Sequence, residues 1–249
     1  MGLFNETIKD LEAYIQKKED KGKIRIIKHD DYEDWPSSNT SNIILKEDIG
    51  VELGNPEMAS DSFMVWTEDL ESLEKIRSGM ITLVGPDLVE SWGKSLPFAQ
   101  ILVLKGHFED EYECYRRLIN IERDIDLDGY MFRAVPQRRR IWSRVSKEAL
   151  EKGFSLGNIG KTLIDKFKKE DSVDAVGVIF VTSTTKDVKE LEDISNRVQR
   201  RVGAMNKMVE EMSFDCNSCE YSDVCDEVRD LRKIRRKLQE TEVRVTRNG

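Results

Sequence analysis

Three thiols near the C-terminus hold the densest chemistry in this sequence. Cys216, Cys219 and Cys225 form a C-x2-C-x5-C run, and Cys114 is the only other cysteine. A C-x2-C turn aims two sulfurs at one centre, and a third thiol a few residues on can close over it. Chains grip metal ions and iron–sulfur clusters in this way. The segment from Cys219 to Cys225 contains no His, Gly or Pro, so it is not a ββα zinc finger. Two centres suit three thiolates. A [4Fe-4S] cluster would bind three irons through them and take its fourth ligand from Cys114, water or an outside group. Zinc would need one further donor. The plainer alternative is a pair of reduced thiols and a bystander. Cys114, beside Leu118 and Ile121 on its helix, also reads as a small buried apolar residue.

A second constellation is basic. Arg133, Arg138, Arg139, Arg140 and Arg144 fall within twelve residues around Trp142, and Arg116 and Arg117 come from the preceding helix. Strand alternation puts Arg138, Arg140, Trp142 and Arg144 on one face. Guanidinium forks suit phosphates and an indole suits stacking on adenine, and coenzyme A offers both groups. The alternative is a solvated strand face paired with Asp and Glu side chains. His29 and His107 are far apart and read as surface or loop residues. No Walker loop, G-x-S-x-G or His-Glu-x-x-His occurs. The glycines from Gly153 to Gly160 shape a helix entry with Asn158 as its cap, and Met205, Met208 and Met212 read as core.

Composition narrows the class. The chain has 249 residues, 35% charged and 39% hydrophobic, with net charge −8. That suits one large domain or two small ones with a heavily charged surface. An acidic balance disfavours nucleic acid and anionic membranes as partners. No apolar run is long enough to span a bilayer, and the first residues lack a signal-peptide core. The expected location is the reducing cytoplasm, where clustered thiols serve as ligands more than as disulfides.

The elements that must position these residues alternate along the chain. Phe4, Ile8, Leu11 and Ile15 predict an amphipathic helix over 4–18, followed by a strand at 23–28 and a polar loop at 29–42. Strands are expected at 49–53, 63–66, 80–84, 99–104, 130–135, 140–145 and 175–181, and helices at 69–76, 108–124 and 158–169. A long helix over 185–212 delivers the chain to the cysteines, and a basic helix over 224–240 follows. The expected fold is α/β: a mixed-sheet domain flanked by helices, with a long C-terminal helix leading to a small Cys-rich helical tail. The expected divisions are 1–42, 43–184 and 185–249.

Several stretches are distinctive together: Lys46-Glu-Asp-Ile-Gly-Val-Glu-Leu-Gly54, Thr82-Leu-Val-Gly-Pro-Asp87, Tyr115-Arg-Arg-Leu118, Gln137-Arg138 and Ile141-Trp-Ser-Arg-Val-Ser-Lys-Glu-Ala-Leu-Glu-Lys-Gly153. With them, residues from about 45 to 225 resemble the middle domain of acetyl-CoA synthase. That protein is the nickel-containing β subunit of the carbon monoxide dehydrogenase/acetyl-CoA synthase system. The resemblance implies coenzyme A binding through Arg116, Arg117, Arg138, Trp142 and Arg144, with Arg139 and Arg140 as additions. It also sets Cys216, Cys219 and Cys225 where ligands of a [4Fe-4S] cubane bridged to a nickel pair begin, although the spacing before the third thiol is shorter. The sequence contains no Cys-Gly-Cys, the family's chelate for the distal nickel, nor its large N-terminal domain. The function this implies is an accessory or catalytically incomplete acetyl-CoA synthase-like protein of one-carbon metabolism. It would hold an iron–sulfur cluster and bind coenzyme A or a corrinoid methyl carrier. As an enzyme it would be a CO-methylating transferase. Its partner would be a corrinoid iron–sulfur protein or another one-carbon protein. Two alternatives stand beside this: a [4Fe-4S] electron-transfer partner of a corrinoid methyltransferase, and a zinc-stapled interaction scaffold.

Overall fold

The computed structural model of the chain describes residues 2–38, 42–68, 78–108, 111–135, 139–210, 219–228, 231 and 233. The helix expected at 69–76, Arg138, Met212, Cys216 and most of the basic helix expected at 224–240 lie outside these residues.

Two mixed sheets make the frame. The first has five strands in the order β1 (Ile24–Lys28), β4 (Met80–Val84), β9 (Val173–Val181), β6 (Phe98–Gly106) and β3 (Ser60–Thr67). The β1–β4 and β6–β9 pairs are antiparallel, whereas β4–β9 and β3–β6 are parallel. The second sheet has four strands in the order β5 (Ser95–Leu96), β2 (Ile49–Leu53), β8 (Arg140–Ser146) and β7 (Tyr130–Val135). The two sheets differ in a way their sequences explain. β6 and β9 are near-continuous apolar runs and are buried on both faces. β8 alternates between buried and half-buried at every residue, so one face joins the core and the other meets solvent.

Helices pack around both sheets. They are α1 (Asn5–Glu19), α2 (Glu111–Arg123), α3 (Lys147–Glu151), α4 (Leu156–Phe167), α5 (Thr185–Lys189), α6 (Glu192–Glu210) and α7 (Ser222–Glu227). The stripe Ile8, Leu11 and Ile15 buries α1 as its spacing predicts, and β1 adds itself to β4. The helix expected over 185–212 is two helices, α5 and the 19-residue α6, with a turn at 190–191. The cap of α4 is Ser155; Asn158 lies inside the helix and accepts from the Ser155 backbone N–H at 3.0 Å. Asp87 completes this helix end by accepting from the Leu156 N–H at 3.0 Å. Among the described residues no helix is long and apolar enough to cross a membrane.

One buried charge cluster joins the ends of the chain's first 190 residues. Lys18, 1% exposed at the end of α1, donates to the Asp187 carboxylate and, at 2.8 Å, to Glu190. Tyr14 donates its hydroxyl to the Asp187 carbonyl at 3.0 Å. Burial pushes the Asp187 carboxyl up, but hydrogen bonds from Lys18, Ser183 and Thr184 outweigh it and hold the group well below the usual carboxylate range. Removing the cation alone would leave a buried anion uncompensated. Lys18→Met is therefore expected to cost about 3–5 kcal/mol in urea denaturation. Because the folded value of Asp187 lies below its unfolded one, its stabilisation is complete above the ordinary carboxylate range and fades as pH falls through and below that range. Asp187→Asn should flatten that acid limb; a parent-like pH profile in this variant would exclude the role.

Candidate functional site

The solvent face of the four-stranded sheet gathers the basic residues. On β8, Arg140, Trp142 and Arg144 share the outward side, as the alternation requires. Register places Arg133 of β7 opposite Trp142, and Glu52 of β2 opposite Arg144. The guanidinium carbon of Arg144 lies 4.7 Å from the centroid of the Trp142 ring, and that of Arg133 lies 5.7 Å away. Both are within cation–π range.

Glu52 organises this face. Its Oε1 accepts from the Trp142 indole N–H and from the Arg144 Nε–H, each at 3.0 Å. Its Oε2 accepts from Asn55 at 3.0 Å and from Ser95 at 3.4 Å. Partial burial raises the carboxyl, yet the hydrogen bonds from Asn55, Arg144 and Trp142 bring it below its ordinary value. Glu52 thus stays ionised and fixes both the plane of the indole and the direction of Arg144. Arg144 donates a further bond to the Ile44 carbonyl at 3.2 Å. Arg133 is exposed and makes no hydrogen bond or ion pair among the described residues, so its fork is available to a ligand.

The remaining predicted arginines go elsewhere. Arg140 donates to the carbonyls of Asn55 and Met58 at 2.8 and 2.9 Å, tying down the connection between β2 and β3. Arg139 takes a left-handed backbone conformation at φ 51° and reaches the Ser195 hydroxyl. Ser195 in turn donates to Asp61 at 2.5 Å. Burial pushes Asp61 up to about 6, with Ser195 and Arg139 opposing the rise. Arg117 pairs with Glu170 at 2.6 Å and donates to Ser172 at 3.1 Å, both in the turn before β9. Arg116 packs over the Tyr112 ring and near Glu113 on its own helix. Neither has a partner on β7 or β8 among the described residues. The alternation of β8 found Trp142 and Arg144. The resemblance passed over Arg133, whose signal was its place opposite Trp142 across a short hairpin, and Glu52, whose signal was a lone acid in an otherwise apolar strand.

At the other end of the chain, Cys219 is half-buried just ahead of α7, and Cys225 is buried within it. The helix packs beside α6: Arg200 bonds Asp223 at 2.8 Å, and Lys207 lies 6.0 Å from the Tyr221 ring. Two soft donors on one short segment, partly shielded from water, suit a thiolate-bound centre. Cys216 lies outside the described residues. Among those described, no group of three or more His, Cys, Asp and Glu is gathered as for a metal ion. Cys114 packs by Ser172, with Sγ to Oγ at 3.7 Å, and by Arg117 at 3.8 Å.

Comparison with known proteins agrees with the part of the chain that builds these sheets. The family described as CO dehydrogenase/acetyl-CoA synthase complex beta subunit matches residues 37–188. An acetyl-CoA decarbonylase/synthase complex subunit beta of Archaeoglobus fulgidus is 28% identical over 185 residues, covering 71% of this chain and 34% of its own. That of Methanopyrus kandleri is 31% identical over 168 residues, covering 64% and 33%. That of Methanothermobacter thermautotrophicus is 27% identical over 186 residues, covering 71% and 38%. The chain thus spans about a third of the length of these relatives. The matched stretch runs from the loop before β2 through β9 to α5, taking in Glu52, Arg133, Trp142 and Arg144, and on it the chain belongs to the CO dehydrogenase/acetyl-CoA synthase complex beta subunit family.

Proposed function

We propose that this chain is an accessory member of its family that binds coenzyme A on the Trp142 face and holds a thiolate-bound metal centre in its C-terminal segment. The observation that carries the first half is the fixed indole. Glu52 holds Trp142 and Arg144 in place, while Arg133 stands beside the ring with its hydrogen-bonding capacity unused. In this reading the indole and the Arg144 plane receive the adenine, and Arg133 takes a phosphate in a bidentate grip. Arg138, which lies outside the described residues, is the second phosphate ligand in this reading. Each well-placed charge-assisted contact contributes about 1.5–3 kcal/mol before ordering costs, so micromolar affinity is within reach. Coenzyme A titration should quench tryptophan emission, and Trp142→Phe should remove most of the change. Arg133→Ala should weaken binding by about tenfold, which is roughly 1.4 kcal/mol. Added salt should weaken it too, because the face is open to solvent. A folded sample that gives no calorimetric heat with millimolar coenzyme A at low salt would sink this reading.

The second half rests on the donor set. Cys219 and Cys225, joined by Cys216, would hold a [4Fe-4S] cluster, with zinc as the competing occupant. A cluster would supply one-electron chemistry; zinc would supply only a structural staple. Protein purified without oxygen should be coloured, with a broad visible absorption band, if iron and sulfide are bound, and colourless if the occupant is zinc. Changing all three cysteines to Ser should abolish bound metal, and full metal content in that variant would place the centre elsewhere.

The names of the relatives describe subunits of an acetyl-CoA decarbonylase/synthase complex. We extend this to the present chain as docking to a one-carbon enzyme, with a corrinoid iron–sulfur protein as the partner of choice. These 249 residues contain no Cys-Gly-Cys to give a nickel ion two thiolates and two backbone nitrogens. The polypeptide by itself, even after nickel reconstitution, should not exchange the carbonyl of acetyl-CoA with carbon monoxide, and robust exchange would refute the accessory assignment.

A further inference from the structure

A cavity of about 60 Å³ lies on the inner side of the β7–β8 hairpin, where α2 and α6 approach β3. Phe132 and Ala134 of β7 form its wall and have the opposite parity to Arg133, so the cavity is distinct from the Trp142 face. A water needs roughly 10–15 Å³ of such space, which leaves room for about four non-hydrogen atoms.

The lining is divided by chemistry. One side is apolar, with Met64, Phe132, Val198 and Val202. The other side carries Glu122 and Arg123, consecutive residues at the end of α2. Glu122 is 4% exposed, and its Oε1 accepts from Ser62 at 3.0 Å and from Gln100 at 3.1 Å. Its Oε2 makes no hydrogen bond among the described residues. Burial raises this carboxyl, opposed by the two hydrogen bonds and the Arg123 charge, and in its protonated form Oε2 is an O–H donor. Three arginines line the cavity, and two are committed: Arg139 to Ser195, Arg140 to the carbonyls of Asn55 and Met58. Arg123 is exposed at the rim and makes no hydrogen bond or ion pair among the described residues. A buried acid with one oxygen unused, a guanidinium without a hydrogen bond or ion pair among the described residues, and an apolar pocket of four-atom size describe a receptor for one kind of molecule.

The geometry points to a binding site for a small alkyl carboxylate of about acetate size, its carboxylate held by Arg123 and the Glu122 acid and its methyl group against Met64 and Val198. A guanidinium and a neutral acid together match a carboxylate's two oxygens, whereas an ionised acid would repel it. The site does not depend on coenzyme A binding at the outer face.

Calorimetric titration of the full chain with sodium acetate, against sodium chloride at matched ionic strength, tests the site. Acetate should give saturable binding in the millimolar range and chloride none. Arg123→Gln should raise the dissociation constant at least tenfold. Since Arg123 is exposed, this variant should fold, as checked by thermal melting. Ala134→Leu, at another exposed position, should block the cavity and give the same loss. Glu122→Gln keeps a neutral donor and should retain binding within about threefold. Absence of an acetate-specific heat, or parent-like binding in Arg123→Gln, would overturn the assignment.

Discussion

A single hydroxyl bridges the two sheets by hydrogen bonds to both polar groups of one β8 residue. Ser60, at the start of β3, donates its Oγ–H to the Ile141 carbonyl at 2.6 Å and accepts the Ile141 N–H at 3.0 Å. A side chain thus stands in for a neighbouring strand and satisfies both polar groups of one β8 residue. Room for this exchange exists because residue 54 is glycine. Its φ is +59°, and a Cβ there would lie 2.4 Å from the Ile141 carbonyl oxygen. The Arg140 bonds to Asn55 and Met58 brace the same crossing from outside. If this junction slipped by one residue, β8 would turn its outward set toward the core, and Trp142 and Arg144 would leave the surface.

From that junction the outer face follows almost mechanically. Trp142 is the next residue after Ile141, so its side chain points away from the core. Glu52 lies two residues before Gly54, within reach of both Trp142 and Arg144. The carboxylate therefore serves a packed structural purpose and a surface one at once. It also narrows what the arginines can do. Arg144 and Arg140 are largely occupied by the protein, and Arg133 keeps its hydrogen-bonding freedom.

Much of this was legible in the sequence, and the exceptions share a cause. Periodicity located every described strand except the two-residue β5, and the helices α1, α2, α4 and α6, because 2.0 and 3.6 repeats record burial directly. It placed Arg140, Trp142 and Arg144 on one face for the same reason. Pattern says nothing about which polar groups meet across the fold. The Glu52 grip, the Ser60 exchange and the pairing of Arg117 with Glu170 each join residues distant in sequence, so no local signal marks them. The turn at 190–191 was hidden similarly. Apolar spacing runs on from Val188 through Ile194, while Glu190, in that turn, bonds Lys17 and Lys18 of a distant helix. Arg116 and Arg117 were grouped with Trp142 by likeness of sequence, and contact separates them.

The outer face is a basic island on an acidic body. The whole chain carries −8, while Arg133 and Arg144 flank one indole, Arg140 shares its face, and Glu52 is their only acidic hydrogen-bonding partner among the described residues. An approaching polyanion meets two fields of opposite sign, a repulsive one extending about a Debye length and an attractive one at contact. Salt screens the longer-range field first. Encounter rates should therefore respond to ionic strength more than residence times do, and only approach from the sheet side should be productive. The surface selects a direction of arrival as well as a ligand, sorting anions before any contact is made.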